Sequence, residues 1–223
     1  MKRKCRWCWV SVIILLLFSG CAPKKPAVFT EYFPATPGQE WIYDSMSQLF
    51  GAAPVNTKIA FHEGKTFGYY NEEGVYTLVV DTDGIKIVKR GEMERGLMEL
   101  TFEPPILLLP SELVKNKRVE LSGTIVAKNK DGKIIKGTYS GYVKILNINK
   151  TVSTRRRKFT DCLQIERSHY FNVKDIYIEK YVITEEYKAG VGLVREKSER
   201  YEEGNGEVIL DDEVIQTLVT YDG

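Results

Sequence analysis

The chain has 223 residues, 43 % of them hydrophobic and 28 % charged, and its 32 basic and 30 acidic side chains give a formal net charge of +2. A balance this close to neutral, with no concentrated basic footprint, argues against a nucleic-acid partner and supplies no general attraction to anionic membrane surfaces. The length is ample for one domain with a core of its own and does not require a second.

The chain opens with Lys2, Arg3, Lys4 and Arg6, followed by the apolar segment Trp9 to Phe18. That segment is too short to span a bilayer as a mature helix and reads as a secretory signal. It ends in Leu17-Phe18-Ser19-Gly20-Cys21, which resembles the lipobox of bacterial lipoproteins. The resemblance implies that residues 1–20 are a cleaved signal peptide. Cys21 then becomes the first mature residue and the point of lipid attachment, carrying a diacylglyceryl thioether and an acyl group such as palmitate on its amine. It also implies a lipid-anchored protein of the cell envelope. With Ala22 instead of Asp after the cysteine, the enterobacterial sorting rule points to the outer membrane, facing the periplasm. Four basic residues leave with the signal, so 28 remain against 30 acidic ones over 203 residues. A domain of that size buries roughly 70 % of the surface its unfolded chain exposes. Cys5 and Cys8 are also lost, so Cys162 is the one free thiol expected.

Residues 21–39 hold Pro23, Pro26, Pro34 and Pro37 with Lys24 and Lys25, a composition that resists regular structure and reads as a tether. Residues 40–223 form the folded domain. From Trp41 onward, short β-branched and aromatic runs alternate with turn residues, which predicts strands and little helix. Asp83-Gly84 and Asp131-Gly132 are two-residue hairpin signals. Glu63-Gly64, Glu73-Gly74 and Gly204-Asn205-Gly206 mark further turns. All 8 prolines lie at or before Pro110, so long strands are expected after it. Glu103-Pro104-Pro105-Ile106-Leu107-Leu108-Leu109-Pro110 reads as an extended connector, not a central strand. The expected fold is all-β: one antiparallel meander of about nine to twelve strands, curled into a partial, unclosed barrel.

Four patterns, Tyr32 to Tyr43, Phe102 to Pro110, Phe159 to Glu166 and Tyr187 to Glu196, together resemble a family of uncharacterised bacterial envelope lipoproteins. That family is related in architecture to the periplasmic lipoprotein carriers and receptors whose curved sheet forms a half-barrel. The resemblance implies a fold and no catalytic residues. Two departures place charge where the family tends to be neutral: Lys115-Asn116-Lys117-Arg118 after the second pattern, and Arg155-Arg156-Arg157-Lys158 before the third.

Candidate chemistry is sparse. His62 and His169 stand far apart, each without a neighbouring His or Cys, so no metal site is expected. No nucleophile elbow or phosphate loop occurs, and neither catalytic residues nor cofactors are expected. Arg155, Arg156 and Arg157 form a candidate anion contact, with a solvated hairpin tip as the plain alternative. Cys162 groups by alternation with Gln164 and Glu166, which suits a small, semi-buried side chain.

The segment Ile176 to Tyr187 carries more information. Alternation puts Tyr177, Glu179, Tyr181, Ile183, Glu185 and Tyr187 on one face, and Ile176, Ile178, Lys180 and Val182 on the other. Apolar bulk on both faces predicts that the second face is shielded by a segment, a ligand or a partner. Tyr177, Tyr181, Tyr187 and Ile183 are therefore expected to line a concavity, with Ile106, Leu107, Leu108 and Leu109 at its rim or as a plug. The function read from this is non-enzymatic: a membrane-anchored lipoprotein holding an apolar ligand, or a partner's apolar segment, on a concave sheet. The alternative is a structural lipoprotein that docks envelope proteins through a sheet edge or face.

Overall fold

The computed structural model describes residues 28–71, 74–92, 97–173, 177–204 and 207–222. Cys21 and the turn at Glu73 lie outside them, as do Asn205 and Gly206. Among the described residues, a single 3-10 turn, Phe29–Tyr32, precedes twelve strands. These are β1 (Glu40–Ser47), β2 (Gly51–Glu63), β3 (Thr66–Asn71), β4 (Gly74–Asp81), β5 (Gly84–Glu92), β6 (Leu97–Pro110), β7 (Arg118–Asn129), β8 (Ile134–Ser153), β9 (Lys158–Val173), β10 (Tyr177–Lys188), β11 (Gly192–Gly204) and β12 (Glu207–Asp222). Each pairs antiparallel with its neighbours in the chain.

The sheet closes on itself, which corrects the expected partial barrel. β1 pairs with β12, from Glu40 opposite Asp222 to Ser47 opposite Val214. Closure satisfies both edge strands at once and places Trp41, Tyr43 and Leu218 in the core. No local periodicity reports a pairing between strands at opposite ends of the chain.

Hairpin turns join the strands, with one displacement from the sequence reading. Asp81 pairs with Gly84, so the β4–β5 turn is Thr82-Asp83 and the glycine starts β5. There it has φ +148, and a Cβ would meet the Leu109 carbonyl oxygen at 2.1 Å, a close approach that needs glycine. The β7–β8 connection turns at Gly132, at φ 78, and is longer than the two-residue hairpin expected, since β7 ends at Asn129 and β8 starts at Ile134. The Asn129 side chain accepts from the backbone amides of Asp131 and Lys133 there.

The proline segment is a strand, which corrects the connector reading. Leu97 to Glu103 pairs with β7, and Ile106 to Pro110 pairs with β5. Opposite β5 the register jumps from Thr101–Lys89 to Ile106–Ile87, so Pro104 and Pro105 sit in a bulge where no ladder donor is asked of them. Ile106, Leu107, Leu108 and Leu109 are all buried as a result.

Two clusters fill the barrel. The larger gathers Trp41, Tyr43, Phe67, Leu78, Leu109, Ile165 and Tyr187, and Phe29 and Phe33 pack against it. Residues of the stretch read as tether thus cap one end of the barrel. Phe33 lies 5.5 Å from Phe67 and 5.8 Å from Tyr69, ring centre to ring centre, and the Gly190 amide donates to the Glu31 carbonyl. The prolines there oppose helix and strand, but three aromatic side chains supply enough apolar area to dock. The smaller cluster holds Leu100, Phe102, Ile106, Ile125, Ala127, Tyr139, Phe171 and Val173.

The outside is polar in mid-strand. Tyr142 donates to Glu166 beneath Arg118, Arg195 pairs with Glu186, and Lys197 bridges Glu199 and Glu213. A lipid-spanning barrel has the reverse arrangement, an apolar belt outside.

Candidate functional site

Alternation along β9 turns Leu163, Ile165, Arg167, His169, Phe171 and Val173 inward, and all six are buried. On β10 the residues directly opposite are Tyr187 across from Leu163, Glu185 from Ile165, Ile183 from Arg167 and Tyr181 from His169. Neighbours directly opposite share a face, so Arg167, His169 and Glu185 lie inside the barrel among apolar and tyrosine side chains. They border a cavity of about 160 Å³, whose wall includes Tyr43, Tyr69, Tyr76, Leu78, Arg90, Phe102, Ile106, Leu108 and Glu196 as well as these strands. Both buried clusters contribute to that wall.

Arg167 and Glu185 form the polar centre, at 7 % and 2 % exposure. The guanidinium donates through Nε at 2.6 Å to Oε2 and through Nη2 at 2.5 Å to Oε1, a bidentate pair. The Tyr187 hydroxyl donates to the same carboxylate at 2.9 Å. Burial opposes charge on Arg167, yet the adjoining Glu185 carboxylate holds its pKa above the ordinary value. Burial, then the Glu185 charge, raises the Tyr187 phenol well above its ordinary range, so it stays a donor. Tyr43 is raised in the same way, by burial and then by Tyr69, and donates at 3.2 Å to the Leu193 carbonyl.

His169, 4 % exposed, stacks at an interplanar angle of 9° on Phe171, and its Nε2 lies 3.3 Å from Nη1 of Arg167. Burial, then the guanidinium, lowers its pKa to about 3. It is neutral in the folded protein at pH values where the unfolded chain, with an ordinary value near 6.5, already binds a proton. Stability from the neutral ring is complete above that unfolded value and falls as pH drops toward about 3. At ~1.36 kcal/mol per pH unit, about 2 kcal/mol should be lost between pH 6.5 and 5. Urea titrations of the wild type and His169→Gln at pH 7 and pH 5 check this. The stability gap between them should narrow by that amount, and a constant gap would show that the ring is not held neutral.

The structure brings Tyr181, Ile183 and Tyr187 together on the cavity wall with Ile106 and Leu108. Leu107 and Leu109 are buried elsewhere in the barrel wall. The Tyr177 side chain lies outside the described residues. On the opposite face of β10, Ile178 is 39 % exposed and Lys180 covers the Tyr201 ring at 5.3 Å. No segment among the described residues covers that outer face. Single apolar side chains among charged neighbours need none.

Arg155, Arg156 and Arg157 sit at the exposed β8–β9 turn, apart from the cavity. Arg155 reaches Asp44 at 3.7 Å and Arg157 lies over Tyr221 at 5.7 Å. Cys162 is fully buried, not semi-buried. Register shifts along β8 and β9 and a positive φ of 54 at Asp161 break the alternation just before it. Burial pushes its thiol up to about 11, which removes thiolate reactivity.

Sequence reasoning placed Glu185 on the same face as the tyrosines but assigned it no role, and it missed Arg167 and His169. The alternation Leu163, Ile165, Arg167, His169, Phe171 held the signal: two polar residues continuing an apolar face. No protein-family model and no curated protein matches the chain. Two solved structures are similar to it. One is a candidate lipoprotein from Parabacteroides distasonis, at 12 % identity, covering 89 % of this chain and 100 % of that one, with a TM-score of 0.45. The other is a candidate exported protein with YmcC-like fold from Bacteroides fragilis, at 12 % identity, covering 88 % and 100 %, with a TM-score of 0.42. At these scores neither likeness carries an inference about this chain.

Proposed function

We propose that this is a non-enzymatic, lipid-anchored protein of the cell envelope whose closed barrel holds a compact, largely apolar ligand. The observation that carries the reading is the interior cavity of about 160 Å³, walled by tyrosines and aliphatic side chains around one neutralised ion pair. Its size sets the ligand. Drug-sized sites run from about 300 to 1,000 Å³, whereas an apolar cavity of about 150 Å³ takes benzene. A single ring or a short branched chain fits, and a whole lipid does not. The lipid anchor rests on the lipobox at Cys21 and the location on Ala22; the charged exterior suits a domain held in the periplasm. Docking through a sheet edge is disfavoured, because closure pairs both terminal strands.

Toluene titrated into the purified protein should bind saturably and shift the resonances of the inward tyrosines. Tyr181→Glu should abolish binding, since it adds a carboxylate to the wall beside Ile183 and Phe171, and a far-ultraviolet dichroism spectrum like that of the wild type checks that the variant is folded. Non-saturable partitioning of toluene into the wild type, or undiminished binding by the variant, would overturn the reading.

A further inference from the structure

The polar centre of the cavity contains a buried ring nitrogen without a hydrogen-bond partner among the described residues. The Nδ1 atom of His169 is buried without a hydrogen-bond partner, and the residue stands on the cavity wall. Geometry decides which nitrogen carries the proton. Nη1 of Arg167 faces Nε2 at 3.3 Å, and a guanidinium has donors but no acceptor. Nε2 must therefore accept, and the single proton of the neutral ring sits on Nδ1. A buried N–H left unmade is costly, and native interiors seldom tolerate one.

Two aromatic side chains flank the imidazole. Phe171 stacks on the imidazole, Tyr181 lies directly opposite across the β9–β10 pair, and the Tyr181 hydroxyl is directed to Glu179. Two guanidiniums (Arg90, Arg167) and two carboxylates (Glu185, Glu196) line the wall, and the buried Glu179 carboxylate adjoins Tyr181, so an anion meets no net positive charge there and a cation meets an N–H donor. We infer that the cavity takes a compact uncharged molecule bearing a carbonyl-type acceptor, and that His169 fixes its orientation by donating Nδ1–H to that oxygen. The inference rests on the ligand-holding reading above and adds the ligand's polar group. The Arg167–Glu185 pair has a positioning role here: by occupying Nε2 it sets the tautomer that makes Nδ1 a donor.

Two molecules of one shape separate the inference from the reading beneath it. Cyclohexanone and methylenecyclohexane differ only in C=O against C=CH₂. Titration calorimetry on the purified protein should give cyclohexanone at least a tenfold lower Kd, as expected where an analogue leaves a buried donor unpaired. The Nδ1–H proton of ¹⁵N-histidine-labelled protein should shift on adding the ketone. His169→Leu should bind both compounds equally. Should that variant fail to fold, His169→Asn, whose amide keeps a donor near Nδ1, together with the wild-type Nδ1–H signal, decides the matter. Equal affinities of the wild type for the two compounds, or a signal unmoved by the ketone because water alone meets the donor, would overturn the inference and leave the cavity reading standing. If neither compound binds, both fall.

Discussion

Glu185→Ala should cost about 3 to 5 kcal/mol, because it strands the buried Arg167 charge and takes the acceptor from the Tyr187 hydroxyl. The guanidinium is 7 % exposed and borders the cavity, so it is largely withdrawn from water. The penalty is that of an uncompensated buried charge, not the net worth of the ion pair. Arg167→Met in the Glu185→Ala background should therefore recover a large part of the loss, since it removes the stranded charge at similar volume. Urea unfolding of the wild type, the two single variants and the double variant gives the coupling directly. A loss below about 1 kcal/mol in Glu185→Ala would mean that water reaches the guanidinium.

Trp41→Ala is expected to lower stability by about 3 to 5 kcal/mol, the range for deleting a buried aromatic side chain. Trp41 is 4 % exposed on β1, one residue from the start of the strand that closes the barrel, and its indole N–H donates at 2.6 Å to the Val191 carbonyl. The substitution thus removes core volume and leaves a buried carbonyl short of a donor at the seam between the ends of the chain. Trp41→Phe keeps most of the area but not the bond, and should fall between the two. Denaturant midpoints with unchanged m-values would assign the effect to the folded state. A marginal loss in Trp41→Ala would show that the seam does not depend on this side chain.

Strand character after Trp41, the scarcity of helix and the inward face of β10 were legible because each is a local pattern: β-branched and aromatic runs, turn residues, alternation by two. Local rules also misled where tertiary context overrode them. Pro104 and Pro105 argued against a strand, but a bulge in the pairing with β5 accommodates them.

By itself the sequence determined the class of fold and the meander order, because these depend on residues adjacent in the chain. Whether the sheet closed was decided only in three dimensions. Trp41 and Tyr221 pair across nearly the whole chain, and nothing within reach of either specifies the other. Closure in turn made the site. Arg167, His169 and Glu185 acquire an interior only once twelve strands surround them, because desolvation and an unpaired donor are properties of an enclosed volume and not of a strand.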